Sequence, residues 1–174
     1  SFTVKQRGDV IDHNVNGTYG PDRWKFRGVT DVGGTMSQSS TDSSSGINKL
    51  MVKHRNAENH AYTYQDIEAV NLLGLYGKEM TFSFSYSDTG GSGIPSIQIL
   101  SWDSTGNTKV LFEEVPTSLG DNRWACTVTL STVDGTIPDP NEKGLQVSVS
   151  PNSNGTDTAL LAPNEWSVWE TKLE

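Results

Sequence analysis

The residues from Leu75 to Ser87 limit the fold of this chain more than any other stretch. From Met80 onward, large apolar residues alternate strictly with small polar ones. The apolar set is Met80, Phe82, Phe84 and Tyr86, and the polar set is Thr81, Ser83, Ser85 and Ser87. Side chains of a strand alternate between the faces of a sheet, so this stretch predicts a strand with one face in an apolar core. The hydroxyl-rich opposite face is typical of a sheet that meets water or a polar ligand.

The rest of the chain repeats this alternation in short segments that are separated by turns. Hydrophobic residues make up 33% and charged residues 20% of the 174 residues, which favours short strands over helices. We predict about ten strands, at residues 1–6, 22–29, 50–54, 62–67, 80–87, 97–102, 109–113, 124–131, 145–150 and 166–174. Residues 31–46 form a loop with room for a short exposed strand near Met36, and residues 68–75 form a helical turn or coil. This spacing predicts an all-β antiparallel sandwich in one domain, residues 1–174.

Charge and cysteine content exclude several classes of protein. The formal net charge of −8 leaves no basic footprint for nucleic acid and disfavours anionic membranes. No apolar run approaches the length that spans a bilayer, so we predict no membrane insertion. The lone Cys126 excludes an intrachain disulfide and a cysteine-based metal site. Its position on the apolar side of a predicted strand indicates a small core residue.

The sequence carries no mark of a catalytic centre. HExxH and Gly-x-Ser-x-Gly patterns are absent, and the spacing of the three histidines fits no helical metal motif. Glycoside hydrolysis needs two carboxylates that face each other across a cleft. The available acids are Glu113 with Glu114, Asp66 with Glu68, and Glu165 with Glu170, and nothing in their spacing pairs them. We therefore expect a domain without enzymatic activity.

A structural calcium ion is the cofactor that the sequence leaves open. Calcium prefers oxygen ligands, and four aspartates lie in predicted loops: Asp9, Asp12, Asp139 and Asp157. The spacing of an EF-hand is absent, and an aspartate in a loop more often forms a turn. We predict no cofactor and assign no metal site.

Four aromatic residues are candidates for sugar contact, because sugar rings stack on aromatic rings while polar groups bind their hydroxyls. They are Trp102, Tyr62, Tyr64 and Tyr19. Trp102 ends a predicted strand beside the turn Asp103–Asn107, where its ring could stay exposed. Tyr62 and Tyr64 share a strand face with Asp66. The alternative for each candidate is packing in the core, which we predict for Trp24, Trp124 and Trp166.

Three segments of the chain resemble known families. FTVKQRGD followed by PDRWKF, the middle segment QDIEAVNLLGLYGKEMTFSFSYSD and the final EWSVWETKLE are similar to parts of phage tail fibre domains and other virion appendages. Lys172 stands where that family's last strand has a glutamine. The Leu-x-Gly-Lys at residues 75–78 and the Leu-Glu ending also resemble jelly-roll carbohydrate-binding modules of polysaccharide-degrading enzymes.

The resemblance implies a jelly roll in the distal or C-terminal part of a longer virion chain. It also implies a homotrimer that contacts other virion proteins. Its function would be to recognise a host cell-surface polysaccharide or other glycan during adsorption, without catalysis. Two alternatives stay open at this point. One is a structural trimerisation or decoration domain that binds no sugar. The other is an extracellular carbohydrate-binding module of a secreted enzyme.

Overall fold

A computed structural model describes residues 10–13, 24–28, 34–39, 49–54, 61–89, 93–151 and 165–174. Twelve strands lie within these residues, and one short 3-10 helix, η1 (Ala69–Leu72), follows the fifth strand. The strands are β1 (Val10–His13), β2 (Lys25–Gly28), β3 (Gly34–Ser39), β4 (Lys49–His54), β5 (Ala61–Glu68), β6 (Glu79–Thr89), β7 (Pro95–Trp102), β8 (Thr108–Glu114), β9 (Thr117–Gly120), β10 (Arg123–Thr129), β11 (Lys143–Pro151) and β12 (Glu165–Leu173).

The strands form two antiparallel sheets. The seven-stranded sheet has the order β1-β3-β4-β12-β6-β10-β9, and the five-stranded sheet has the order β2-β5-β11-β7-β8. Neighbours in these orders are mostly distant in the chain, as in a jelly roll, so the sheets are joined by crossing connections. The prediction of an all-β sandwich of the jelly-roll type is confirmed.

The strand β6 lies inside the seven-stranded sheet, between β12 and β10. Its apolar side chains are all buried, from Phe82 with 5% of its surface exposed to Phe84 and Tyr86 with none. They pack against the inward side chains of the five-stranded sheet, which include Ile97, Ile99, Leu145, Val147 and Val149. The predicted orientation of β6 is therefore confirmed, and its large side chains form the middle of the core.

The predicted core residues mostly behave as expected. Trp24, Trp166 and Cys126 are buried, and burial raises the pKa of the Cys126 thiol to about 11, so the thiol stays protonated at neutral pH. Trp124 is only half-buried and packs against the edge of the core. Trp169 is also buried, although strict alternation places it on the face opposite Trp166 and Val168.

Two strands differ from the sequence-based prediction. Residues 7–20 and 116–122 were predicted as loops, but β1 pairs with β3 and β9 pairs with β10. All four residues of β9 are exposed, so burial leaves no alternating pattern to detect. A tight turn at Asp121 and Asn122, both with positive φ, holds β9 against β10 through backbone pairing. The predicted strand at residues 1–6 lies outside the described residues, and the one near Met36 is β3.

The helix η1 packs directly on the start of β11. The N–H of Ala69 donates to the carbonyl of Glu142 at 2.8 Å, and the N–H of Val70 donates to that of Pro140 at 3.1 Å. A Cβ on Gly144 would lie 2.8 Å from the Cα of Ala69, so only glycine allows this approach. The contact fixes the position at which the chain enters the sheet, at the neighbouring Lys143.

The last strand, β12, contains a bulge at Glu170. This residue has a φ of +50°, and the pairing with β6 shifts between Trp169 and Lys172. The bulge turns the carboxylate of Glu170 toward Ser85, whose hydroxyl donates to it at 2.9 Å, and toward Arg123 at 3.0 Å. These contacts lie on the seven-stranded sheet and offset the strain of a left-handed glutamate.

In the described part of the chain, no helix has the length and apolar character that crossing a membrane requires.

Candidate functional site

The candidate site is the outer face of the five-stranded sheet, meaning the face opposite the core. Because Val147 and Val149 of β11 point into the core, Gln146 and Ser148 point to the outer face. The register places Ser148 between Tyr64 of β5 and Gln98 of β7. The outer face therefore presents an aromatic strand and a strand of hydroxyl and amide side chains next to each other.

Tyr62 and Tyr64 form an aromatic pair at one end of this face. They are two residues apart on β5, so their rings project from the same side of the sheet. The ring centroids are 5.8 Å apart with a 52° angle between the ring planes, and both side chains are half-buried. The Nζ of Lys25 lies 5.6 Å from the Tyr64 ring centroid. The pair places two aromatic rings next to each other on the outer face.

Asp66 forms the polar centre of the face. Its Oδ2 accepts a hydrogen bond from the Nζ of Lys25 at 2.7 Å, and its Oδ1 accepts one from the Nε2 of Gln146 at 2.8 Å. The Nζ of Lys143 lies 3.4 Å from the same Oδ1. Burial by itself raises the pKa of Asp66, but the two hydrogen bonds and the two lysine charges together outweigh it and lower the pKa below the ordinary value. Asp66 is therefore ionised at neutral pH and is unsuited to act as a general acid.

Trp102 lies at the other end of the face, and its ring is covered on one side. The Nζ of Lys143 is 3.4 Å from the centroid of the ring, which is a close cation–π contact. The side chain is half-buried, and its indole N–H is buried without a hydrogen-bond partner among the described residues. The Trp102 ring was expected to be exposed, but Lys143 covers one of its two faces.

The turn after Trp102 is confirmed as an Asp-stabilised turn. The Oδ1 of Asp103 accepts hydrogen bonds from the backbone N–H of Thr105 at 2.9 Å and of Asn107 at 2.8 Å. The turn joins β7 to β8, and a bulge between Ile99 and Leu100 shifts their register. It places Trp102 at the sheet end where β11 begins.

Ser148 lies in the floor of the face with an unused hydroxyl. Only 5% of its surface is exposed, and its Oγ has no hydrogen-bond partner among the described residues. Beside it, the Nε2 of Gln98 donates to the Oε1 of Glu113 at 2.7 Å. Buried hydroxyl groups are normally hydrogen-bonded, so the Ser148 hydroxyl is hydrogen-bonding capacity that the described residues leave unused on this face.

Three of the four predicted aromatic candidates lie on this one face. Tyr62 and Tyr64 are adjacent, whereas Trp102 lies two strands away and nearer the other end of the sheet. Tyr19 lies outside the described residues. That any of them contacts a ligand stays a prediction.

Sequence reasoning missed several polar members of the site. Gln146 and Ser148 alternate with the buried valines of β11, but only their neighbours across the sheet give them a role. Lys25 and Lys143 lie far apart in the chain, and the strand pairing brings both to Asp66. Nothing in the sequence around either lysine indicates this meeting.

Three of the six acids considered for catalysis, Asp66, Glu113 and Glu170, are held by other groups. Asp66 binds two lysines and an amide, and Glu113 binds Gln98. Glu170 belongs to the seven-stranded sheet, where it binds Ser85 and Arg123. These carboxylates thus do not form a facing pair of the kind that glycoside hydrolysis requires.

The calcium candidates are only partly described. Asp139 forms a turn, because its Oδ1 accepts a hydrogen bond from the backbone N–H of Asn141 at 2.9 Å. Asp12 lies in β1, and Asp9 and Asp157 lie outside the described residues. Among the residues whose positions are described, no three His, Cys, Asp or Glu side chains come close enough to hold a metal ion.

No protein-family model matches the sequence, and no curated protein is significantly similar to it. Solved structures do share the fold. One contains the CBM22-1 and GH10 modules of the Clostridium thermocellum endo-1,4-β-D-xylanase 10B in complex with xylohexaose. It superposes with a TM-score of 0.54 and 14% identity over 95% of this chain and 27% of that one. The CBM22-2 xylan-binding domain of Paenibacillus barcinonensis Xyn10C gives a TM-score of 0.54 and 10% identity over 87% of this chain and 91% of that one.

These identities are low, so the comparisons show the fold alone: the chain has the β-sandwich of carbohydrate-binding modules. The chain spans about a quarter of the length of the xylanase structure and nearly all of the isolated domain. The enzymatically active domain of the bacteriophage CBA120 tailspike protein 4 reaches a TM-score of only 0.49 at 11% identity, over 87% of this chain and 19% of that one. This match is too weak to support a virion setting, which stays a prediction.

Proposed function

We propose that this chain is a non-catalytic carbohydrate-binding domain that binds an extracellular polysaccharide on the outer face of its five-stranded sheet. One observation carries the proposal: the aromatic pair Tyr62 and Tyr64 lies beside Ser148, whose buried hydroxyl has no partner among the described residues. A sugar ring with equatorial hydroxyls stacks its apolar face on an aromatic ring and forms hydrogen bonds with polar groups beside that ring.

The polar groups of the face support a neutral polysaccharide as the ligand. The charge of Asp66 is balanced within the protein by Lys25 and Lys143, and Glu113 is hydrogen-bonded to Gln98. The Ser148 hydroxyl, which has no hydrogen-bond partner among the described residues, is uncharged. The xylan-binding domains that share this fold make xylan the first polysaccharide to test.

The fold agrees with two settings for such a domain. As a module of a secreted polysaccharide-degrading enzyme, it would hold the enzyme on its substrate. On a phage fibre or spike, it would bind the glycan of a host surface, and several weak sites would add up through multivalency. Both settings place the domain outside the cell and use the same face.

The experiment is affinity electrophoresis and calorimetry against soluble xylan, mixed-linkage β-glucan and galactomannan. We expect the wild-type domain to bind at least one of the three. Tyr64→Ala should weaken that binding about tenfold or more through loss of stacking, whereas Tyr64→Phe should leave it within about twofold because the ring remains.

The serine test uses two matched variants. Ser148→Ala and Ser101→Ala each remove a buried hydroxyl with no partner among the described residues, but Ser148 faces outward and Ser101 faces the core. Both changes should leave the free energy of unfolding nearly unchanged, because neither breaks a hydrogen bond. Only Ser148→Ala should weaken polysaccharide binding. Equal effects of the two variants, or binding unaffected by Tyr64→Ala, would place the ligand elsewhere on the domain.

A further inference from the structure

Lys143 occupies a position that a sugar stacked on Trp102 would need. Its Nζ is 3.4 Å from the centroid of the Trp102 ring. A sugar ring stacks on an aromatic face at van der Waals distance, about 3.5–4.0 Å between carbon atoms. The ammonium group and a stacked sugar therefore exclude each other on this side of the ring.

The Lys143 ammonium can leave this position without leaving Asp66 unpaired. Both carboxylate oxygens of Asp66 have shorter hydrogen bonds to other groups, at 2.7 Å from Lys25 and at 2.8 Å from Gln146. The Lys143 contact with Asp66 is longer, at 3.4 Å. Glu68 pairs with Lys143 in the strand register, and Glu142 precedes it in the chain, so both are charged residues close to it in register or sequence. The electrostatic centre of the site thus survives a change at Lys143.

The backbone of Lys143 is held in place by the packing of η1 on β11. Gly144 touches Ala69 and Leu72 so closely that no larger residue fits. A register shift between Lys143 and Leu145 turns this end of the strand. The backbone of Lys143 is therefore held beside Trp102, and movement of the flexible lysine side chain is enough to uncover the ring.

We propose that Lys143 is a specificity-determining residue that blocks one face of Trp102 and so keeps a second stacking surface out of use. The inference rests on the proposed function, since it concerns the same face of the sheet. It assigns ligand contact in the resting domain to Tyr62, Tyr64 and the Ser148 region. Trp102 becomes a stacking surface only when the Lys143 side chain moves away.

The test compares Lys143→Ala with Lys143→Arg, using the three polysaccharides named above. Lys143→Ala uncovers the ring and should increase affinity for at least one of them about fivefold or more. Lys143→Arg is the matched control, because a guanidinium also stacks on an aromatic ring and keeps it covered. It should bind as the wild type does.

A double variant shows whether Trp102 carries the gain. Trp102→Leu alone should leave wild-type binding within about twofold, and in the variant that combines it with Lys143→Ala the gain should disappear. A readout independent of ligand is the NMR shift of the Lys143 ε-methylene protons. The Trp102 ring current should move these protons upfield, and Trp102→Leu should restore the ordinary shift.

Several results would overturn the inference. These are no gain in Lys143→Ala with any of the three polysaccharides, an equal gain in Lys143→Arg, a strong loss from Trp102→Leu alone, or an unshifted ε-methylene signal. The proposed function fails by a different result, namely absence of wild-type binding or insensitivity to Tyr64→Ala. A domain that binds only after Lys143→Ala, and loses this binding again with Trp102→Leu, would contradict resting contact at Tyr62 and Tyr64 and would support the block of Trp102 by Lys143.

Discussion

Asp66 illustrates how one side chain can organise a face of a sheet. It is a carboxylate in a partly buried position, where an unpaired charge would be costly. Both strands that flank β5 contribute to its contacts: β2 provides Lys25, and β11 provides Gln146 and Lys143. The result is a fixed polar centre between the tyrosine pair and Trp102, whose geometry exists before any ligand arrives.

The lowered pKa of Asp66 predicts how stability depends on pH. A carboxyl whose pKa is lower in the folded state contributes stability that is present above its unfolded value, near 3.8, and is lost as the pH falls through the folded value. Asp66→Asn should lower the free energy of unfolding at pH 7 by about 2 kcal/mol, since charged hydrogen bonds are lost. The difference from wild type should shrink toward pH 2.

Urea unfolding at both pH values measures this difference. Glu79→Gln, an exposed acid at the start of β6, serves as the control and should change little at either pH. If the destabilisation by Asp66→Asn were the same at pH 2 and pH 7, it would come from packing and not from the charge of Asp66.

At the scale of elements, η1 and the start of β11 form a joint that decides where the site ends. The two backbone hydrogen bonds to Glu142 and Pro140 dock the short helix, which would be unstable by itself. Gly144 allows the helix to approach the strand. Because Lys143 precedes this glycine, the joint also sets the position of the lysine beside Trp102.

This joint predicts different results for two glycines. Gly144→Ala should lower the free energy of unfolding by about 1–3 kcal/mol, because its Cβ would lie 2.8 Å from the Cα of Ala69. Gly74→Ala meets nothing within 4 Å, and its φ is not in the left-handed region, so it should be neutral or slightly stabilising. Denaturant unfolding of both variants is the measurement. Equal costs would show that loss of glycine flexibility, and not the close contact, determines the effect.

At the scale of the whole molecule, the acidic charge and the site have separate origins. The formal net charge of the chain is −8, yet the centre of the outer face pairs Asp66 with two lysines. The excess negative charge therefore lies elsewhere on the molecule, where it favours solubility. A site whose charges are paired internally should bind a neutral polysaccharide with little dependence on salt.

The oligomeric state separates the two settings of the proposed function. The resemblance to virion appendages predicts a homotrimer, with a mass near three times 18.9 kDa in solution. Light scattering coupled to size-exclusion chromatography measures it, at several protein concentrations to detect dissociation. A mass near 18.9 kDa would contradict the predicted trimer and favour a module that acts singly beside other domains.

Much of the fold could be predicted because burial leaves a pattern in the sequence. The alternation in β6, β7 and β11 reports which side chains enter the core, and the structure confirms it. The strand β9 was missed for a physical reason. The fully exposed β9 is held by backbone hydrogen bonds, which any residue can make, so its side chains carry no signal.

The candidate site likewise has features that the sequence predicts and features that depend on contacts between distant segments. The sequence by itself determined the all-β class, the two faces of the long strands, and the shared face of Tyr62, Tyr64 and Asp66, because a period of two follows directly from the chain. Only the structure showed that this face is the outer one. Only the tertiary structure decided that Lys25, Asp66 and Lys143 meet, and that Lys143 covers Trp102. Those contacts depend on strand order and register between segments far apart in the chain, and alternation within a single strand contains no information about either.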